Sequence, residues 1–316
     1  MAESKSVVIA SLISNAAIAV MKFVGFLLTG SAAMLSETYH SISDTGNQVF
    51  LLIGIRDSNK TASERHPFGY GKSQFFYSFL VSVLLFGIAG WESAKQGYHA
   101  IMHPAAEHAA ETATIPYLGV SFPGIWVNYG VLIGAIVFEG WSLWKAYQEM
   151  QRHIEDNEWS GIVEGFRKTA DVSTLTAFTE NSVAVFGAGI ALAGVYLSQA
   201  TGNPIYDAAS ALLIGVLLMA FAVALALENK RLLIGEGLPD EAESQLYDVV
   251  VDAQGVAAVP DFRTVYFGPD RVLVTADVEF ENGLETGEID DRITAIEDAL
   301  HEEDEDVGKV YLEPED

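Results

Sequence analysis

Cysteine is absent from this chain of 316 residues. Disulfides, thiolate zinc sites, iron–sulfur clusters and cysteine nucleophiles are therefore excluded. The chain also lacks a Gly-x-x-x-x-Gly-Lys-Ser/Thr loop, which argues against ATP as a ligand or an energy source. It has no His-Glu-x-x-His sequence, the signature of zinc metalloproteases. We therefore expect a protein that is not an enzyme and holds no permanently bound cofactor.

Basic residues are scarce, with 17 Lys and Arg against 43 Asp and Glu and a net charge of −26. The imbalance is concentrated in residues 236–316, which contain 25 acidic and 4 basic residues. So acidic a segment repels nucleic acid, and we expect no nucleic-acid partner. A solvated acidic surface favours a halophilic prokaryote as the source. A surface that gathers cations is the alternative, and composition does not separate the two.

Long apolar segments account for much of the remaining chain, since half of all residues are hydrophobic. Six of them exceed the roughly 20 helical residues that cross a bilayer. They cover approximately residues 6–29, 33–55, 74–100, 122–150, 172–199 and 205–228. Lys and Arg follow spans two, four and six, whereas 101–121 and 200–204 contain neither. The positive-inside rule then predicts a multi-pass plasma-membrane protein with both termini in the cytoplasm.

The last 80 or so residues have the pattern of a small α+β domain. Alternating apolar residues from Val272 to Phe280 predict a strand, and the spacing of Ile289, Ile293, Ile296 and Leu300 predicts an amphipathic helix. The expected order is αββαβ. We therefore divide the chain into a six-span membrane domain, residues 1–234, and an acidic cytoplasmic domain, residues 235–316.

The second span contains unusually many polar residues between Ser36 and Gln48. His40 and Asp44 are four residues apart, so their side chains lie on one helix face. A neutral imidazole and a carboxylate so placed can bind one divalent cation. The alternative is a polar pair that joins helices, but ionisable residues within spans usually mark a transport pathway.

Several motifs, in this order along the chain, resemble those of the cation diffusion facilitator family, the proton-coupled zinc and manganese exporters. The match is to the branch that includes the mitochondrial-type zinc transporter homologues. The motifs are Leu28-Thr29-Gly30-Ser31, His40-x-x-x-Asp44, the segment 65–72, Leu233-Ile234-Gly235-Glu236 and the segment 311–316. The resemblance implies six helices, a ferredoxin-like C-terminal domain and a homodimer. It also implies metal/proton antiport and a tetrahedral site shared by spans two and five.

The fifth span departs from the family pattern. Ala177 and Asn181 occupy the family's two ligand positions, while Glu180 is one residue away, turned by about 100° around the helix. Glu180 is predicted either to bind metal or carry a proton, or else to bond a neighbouring span. Asn47 lies on nearly the same stripe as His40 and either completes the shell or joins helices. The candidate site is thus His40, Asp44, Glu180, Asn181 and Asn47.

The expected function is export of divalent metal, zinc first, from the cytosol in exchange for protons by alternating access. A manganese or iron exporter of the same fold and a membrane metal sensor that does not transport are the alternatives. His99 and His103, four residues apart at the outer end of span three, form either an exit-side metal site with Glu107 and His108 or an interfacial pair. Binding of regulatory metal by the C-terminal domain is left open.

Overall fold

The computed structural model describes residues 2–103, 112–115, 120–156, 159–169, 172–269 and 271–315. The chain forms two compact units. The helical unit contains Met1–Gly54, Tyr77–His153 and Ser173–Glu228. The mixed unit contains Ile55–Phe76, Ile154–Val172 and Asn229–Asp316. The predicted domain boundary at residues 234 and 235 stays a prediction.

Long helices occupy all six predicted spans. They are α1 (Ala2–Thr29), α2 (Ala32–Ser58), α3 (Lys72–Leu84) with a π-helical turn (Leu85–Gly90) and α4 (Trp91–Met102), α5 (Gly124–Asp156), α7 (Val172–Thr201) and α8 (Ile205–Ile234), with the short α6 (Ile162–Lys168) before α7. In the described part of the chain, four stretches qualify as spans by length and hydropathy alone: 72–102, 125–156, 174–201 and 205–234. The polar residues of α2 lower its hydropathy. The predicted helical membrane bundle is confirmed.

A short hairpin before the fourth span corrects the sequence prediction. Strands β1 (Thr112–Ile115) and β2 (Val120–Pro123) pair antiparallel, and α5 begins at Gly124. The span had been predicted from residue 122. Because a proline disfavours helical backbone at the residue before it, Phe122 stays extended before Pro123 and the helix begins later.

The C-terminal segment forms α9 (Asp240–Val251), β3 (Val256–Gly268), β4 (Arg271–Phe280), α10 (Thr286–Glu303) and β5 (Val307–Glu315). The sheet order is β3-β4-β5, with β3 antiparallel and β5 parallel to β4. The predicted αββαβ order is confirmed. A parallel β5 requires the crossover that α10 provides.

The core of the mixed unit lies between this sheet and its helices. Alternate residues of β4, among them Val274 and Val278, are fully buried, together with Leu246 of α9 and Leu300 of α10. Phe75 of α3 belongs to the same core, as does Leu232 at the end of α8. Helix ends outside residues 235–316 thus contribute to the apolar burial that stabilises the domain.

Candidate metal site

Helix α2 places three of the predicted site residues on one buried stripe. His40, Asp44 and Asn47 expose 1%, 6% and 0% of their surface. The His40 Nε2 atom lies 3.4 Å from Asp44 Oδ2. The spacing of three and four residues brings the side chains to neighbouring turns of one face. The structure therefore joins the imidazole and the carboxylate as the sequence predicted.

Helix α7 contributes Glu180, which is also buried. Asn47 Nδ2 donates a hydrogen bond of 2.7 Å to Glu180 Oε1. Asp44 interacts electrostatically with Glu180 as well. The residue one position away from the family's ligand position is thus the one linked to α2.

Asn181 is placed differently. Its Nδ2 atom donates a 2.7 Å hydrogen bond to the carbonyl oxygen of Ala177, one turn earlier in the same helix. This bond engages the amide nitrogen within α7, and Asn181 has no hydrogen bond to His40, Asp44 or Asn47 in the described structure. Its role as a ligand stays a prediction.

Several nitrogen and oxygen atoms that could bind a metal ion are buried at this site without a hydrogen-bond partner within the described part of the chain. They include His40 Nδ1, Asp44 Oδ1 and Asn47 Oδ1. Buried polar atoms of folded proteins are nearly always paired, so such a concentration indicates a ligand. A nitrogen and two oxygens are donors that divalent cations accept.

The four side chains form two pairs instead of a closed metal cage. Among the described residues, no group of three His, Asp or Glu side chains is positioned to hold one metal ion. His40 approaches Asp44, and Asn47 approaches Glu180. The complete ligand set therefore stays a prediction.

The start of α2 is held by Asp207 of α8. Asp207 Oδ1 accepts a 2.8 Å hydrogen bond from Ser31 Oγ, and Oδ2 accepts one of 2.8 Å from the backbone N–H of Ala32. A carboxylate at a helix N-terminus satisfies free N–H groups and interacts favourably with the helix dipole. This contact gives a structural reason for the Leu28–Ser31 motif, which ends where α2 begins.

Sequence reasoning did not single out three charged residues that are buried in the helical unit. Lys22 of α1 lies 2.9 Å from Glu37 of α2, from Nζ to Oε2, and both side chains are fully buried. Glu139 of α5 is 7% exposed and interacts electrostatically with both. A single lysine within the first apolar span was the available signal.

His99 and His103 lie at the end of α4. Their rings are nearly parallel with centroids 4.5 Å apart, and His103 Nδ1 lies 3.3 Å from the carbonyl oxygen of His99. Glu107 and His108 lie outside the described residues. The exit-side metal site therefore stays a prediction.

A family model described as the cation efflux transmembrane domain matches residues 8–234. The chain belongs to the cation efflux family. The match includes α2 and α7 entirely, and with them every residue of the candidate site. The resemblance to the cation diffusion facilitators drawn from the motifs is confirmed, and the chain is a multi-pass membrane protein of a transporter family.

Similar proteins occur in animals, plants and bacteria. The human mitochondrial proton-coupled zinc antiporter SLC30A9 is 29% identical over 265 residues, 84% of this chain and 44% of the human protein. Metal tolerance protein C4 of Arabidopsis thaliana is 26% identical over 84% of this chain and 54% of its own length. The cation-efflux pump FieF of Escherichia coli is 24% identical over 86% of this chain and 83% of its own length. The chain thus spans less than half the length of the human relative.

Proposed function

We propose that this protein exports divalent metal cations, with zinc preferred, in exchange for protons by alternating access. The observation that carries the proposal is the buried His40–Asp44 pair beside the Asn47–Glu180 pair, with donor atoms unpartnered among the described residues. Such groups are costly within a bilayer, and where they occur they usually mark an ion pathway. The names of the human and bacterial relatives, a proton-coupled zinc antiporter and a cation-efflux pump, support the same direction.

Coupling to protons follows from the chemistry of these ligands. His40 must be neutral to bind metal, and Asp44 and Glu180 must be ionised, so binding of metal releases protons. Protons from the external side then displace the metal when the site opens outward.

The choice of metal depends on which atoms complete the shell. An imidazole and a carboxylate suit zinc, whereas a remainder made of Glu180, Asn181 and Asn47 oxygens would suit manganese or iron. Zinc is proposed because His40 supplies a nitrogen ligand and because the human relative bears zinc in its name. Manganese or iron export by the same site is the alternative.

The proposed assembly is a homodimer in the plasma membrane with both termini in the cytoplasm. The positive-inside rule supports the orientation, because Lys and Arg cluster in the connections on one side. The family resemblance supports the dimer. Chemical cross-linking in native membranes tests the dimer, and protease accessibility of the C-terminal segment in inside-out vesicles tests the orientation.

Zinc-loaded proteoliposomes test the transport itself. When the external solution is more acidic than the vesicle interior, zinc should leave the vesicles while protons enter. Dissipating the proton gradient should slow the zinc efflux. Manganese and iron in the same assay rank the metals. Zinc binding without flux at any gradient would overturn the antiporter and favour the sensor, and flux without linked proton movement would overturn the exchange.

A further inference from the structure

The helical unit contains a group of buried charges outside the candidate metal site. We call Lys22, Glu37 and Glu139 the charge cluster. Lys22 and Glu37 form an ion pair of 2.9 Å with both side chains fully buried. Glu139 is 7% exposed and interacts with both charges. Helices α1, α2 and α5 each contribute one member.

The charges of this cluster do not balance. One ammonium is paired with Glu37 and interacts electrostatically with Glu139, which leaves one net negative charge when both carboxylates are ionised. An uncompensated charge buried in a protein is unfavourable, and within a membrane span a bound cation would reduce that penalty. A bound proton is the smallest cation that removes the surplus.

One carboxylate oxygen of Glu37 is left without a hydrogen-bond partner in the part of the chain that the structure describes. Its Oε2 atom accepts the hydrogen bond from Lys22, whereas Oε1 is buried and has no partner among the described residues. Gly187 of α7 lies opposite, and a Cβ atom there would be 2.7 Å from Oε1. Any larger residue at 187 would displace the carboxylate, so this glycine makes the space that Oε1 occupies.

The cluster is close enough to the candidate metal site to respond to its charge. Asp44 interacts with Lys22, Glu37 and Glu139, and Lys22 also interacts with His40. Glu180 interacts with Glu139. A divalent cation at His40 and Asp44 would therefore repel a proton held by the cluster, and the coupling acts equally in both directions.

We propose that Lys22, Glu37 and Glu139 form a proton site, separate from the metal ligands, that releases its proton when metal binds. The inference rests on the proposed function, because it assigns part of the proton coupling to named residues. Lys22 stabilises one carboxylate permanently, and the second carboxylate exchanges the proton. The metal ligands release their own protons in addition.

The slope of the zinc dissociation constant against pH, on logarithmic axes, measures the protons released for each zinc bound. Glu139→Gln leaves the Lys22–Glu37 pair intact but removes the surplus charge. Its slope should fall by about one proton relative to the wild type. Glu37→Gln should have the same effect, since Lys22 then pairs with Glu139. Affinities of variants and wild type should converge at acidic pH, where the cluster is protonated.

Two control variants make the result specific. Lys22→Met combined with Glu37→Gln leaves Glu139 as a lone carboxylate, so this double variant should keep the wild-type slope. Glu92→Gln removes an exposed carboxylate paired with Lys95 and should also keep it. Wild-type slopes in both Glu139→Gln and Glu37→Gln would overturn the proton site. Loss of zinc binding at every pH in both would place these carboxylates in the metal site and overturn it as well.

The measurement is independent of the transport assay. Zinc binding at equilibrium is measured on the full chain in detergent, so the slopes remain interpretable if the proteoliposomes show no flux. Absent flux in the wild type overturns the proposed function. Unchanged slopes in a protein that does transport overturn only the charge cluster as a proton site.

Discussion

At the scale of single residues, the role of a polar side chain depends on the atoms that it contacts more than on the helix to which it belongs. His40 and Asp44 share one face of α2 and meet at 3.4 Å. Glu180 and Asn181 are adjacent in α7, yet Glu180 bonds Asn47 of α2 whereas Asn181 bonds its own helix. Neighbouring positions on a helix point about 100° apart, which separates their roles.

Replacing Asp44 with alanine tests the pair directly. The change removes a charged ligand and only a small volume, so the protein should fold while zinc affinity drops. The loss should exceed the roughly 10- to 100-fold that removal of an outer-shell partner costs. Isothermal titration with zinc measures it. Thr45→Ala is the control, because among the described residues the Thr45 hydroxyl donates its hydrogen bond to the Ser41 carbonyl oxygen of its own helix. Equal affinity in Asp44→Ala and Thr45→Ala would refute the assignment.

Glu180→Gln separates the charge of this residue from its shape. The glutamine oxygen can still accept the bond from Asn47 Nδ2, so the melting temperature should stay near that of the wild type. Zinc affinity should fall by more than the roughly 10-fold minimum for an outer-shell partner if the carboxylate is a ligand. Asn181→Ala should change affinity little. The reverse pattern, with affinity lost only in Asn181→Ala, would move the fifth-span ligand to Asn181.

At the scale of elements, glycines decide how closely two helices pack. A Cβ atom at Gly97 of α4 would lie 2.2 Å from the backbone nitrogen of Leu212 in α8. One at Gly215 of α8 would lie 2.3 Å from the nitrogen of Ala94. Small residues on both sides let backbones meet, as in other membrane helix pairs. The sequence contains these glycines but does not indicate which helix each one faces.

Gly97→Val should therefore separate α4 from α8. Overpacking of a tight contact costs about 1–3 kcal/mol, and the melting temperature in detergent should fall accordingly. Intrinsic tryptophan fluorescence on heating gives the measurement. Gly189→Val is the matched control in α7, because nothing lies within 4 Å of a Cβ there. A similar fall in melting temperature in both variants would show that replacing a helical glycine by valine causes the effect, and not the α4–α8 contact.

At the scale of the whole molecule, the excess of acidic residues affects the stability of the fold. Residues 236–316 hold 25 acidic and 4 basic side chains, yet the same segment contains a normal buried core that includes Val274, Ile296 and Leu300. Like charges at this density repel one another and destabilise the compact state. Apolar burial stabilises it, so the balance between the two depends on salt.

The melting temperature of the full chain should rise as potassium chloride is raised from 0.1 to 1 M, since the screening length shortens from about 10 Å to about 3 Å. Differential scanning calorimetry in detergent follows it. Glu302→Gln with Glu303→Gln removes two exposed charges and should reduce the gain from salt. A melting temperature that is flat or falls with salt would argue against the halophile interpretation and favour the surface that gathers cations.

The sequence by itself determined most of the elements and placed His40 and Asp44 on one helix face. Apolar length gave the spans, period-two alternation gave β4, and the spacing of His40 and Asp44 gave a shared face, because each of these depends on local geometry alone. The start of α5 was missed by two residues, since a hairpin pairing and the proline at 123 together override the apolar pattern.

Only the tertiary structure decided which residues meet. The partner of Asn47 is 133 positions away in the chain, and Lys22 of α1 forms an ion pair with Glu37 of α2. Which of Glu180 and Asn181 faces α2 depends on how α7 is rotated, and no local pattern specifies that rotation. Contacts between distant segments arise from the packing of whole helices, so a buried charge such as Lys22 is visible in the sequence while its partners are not.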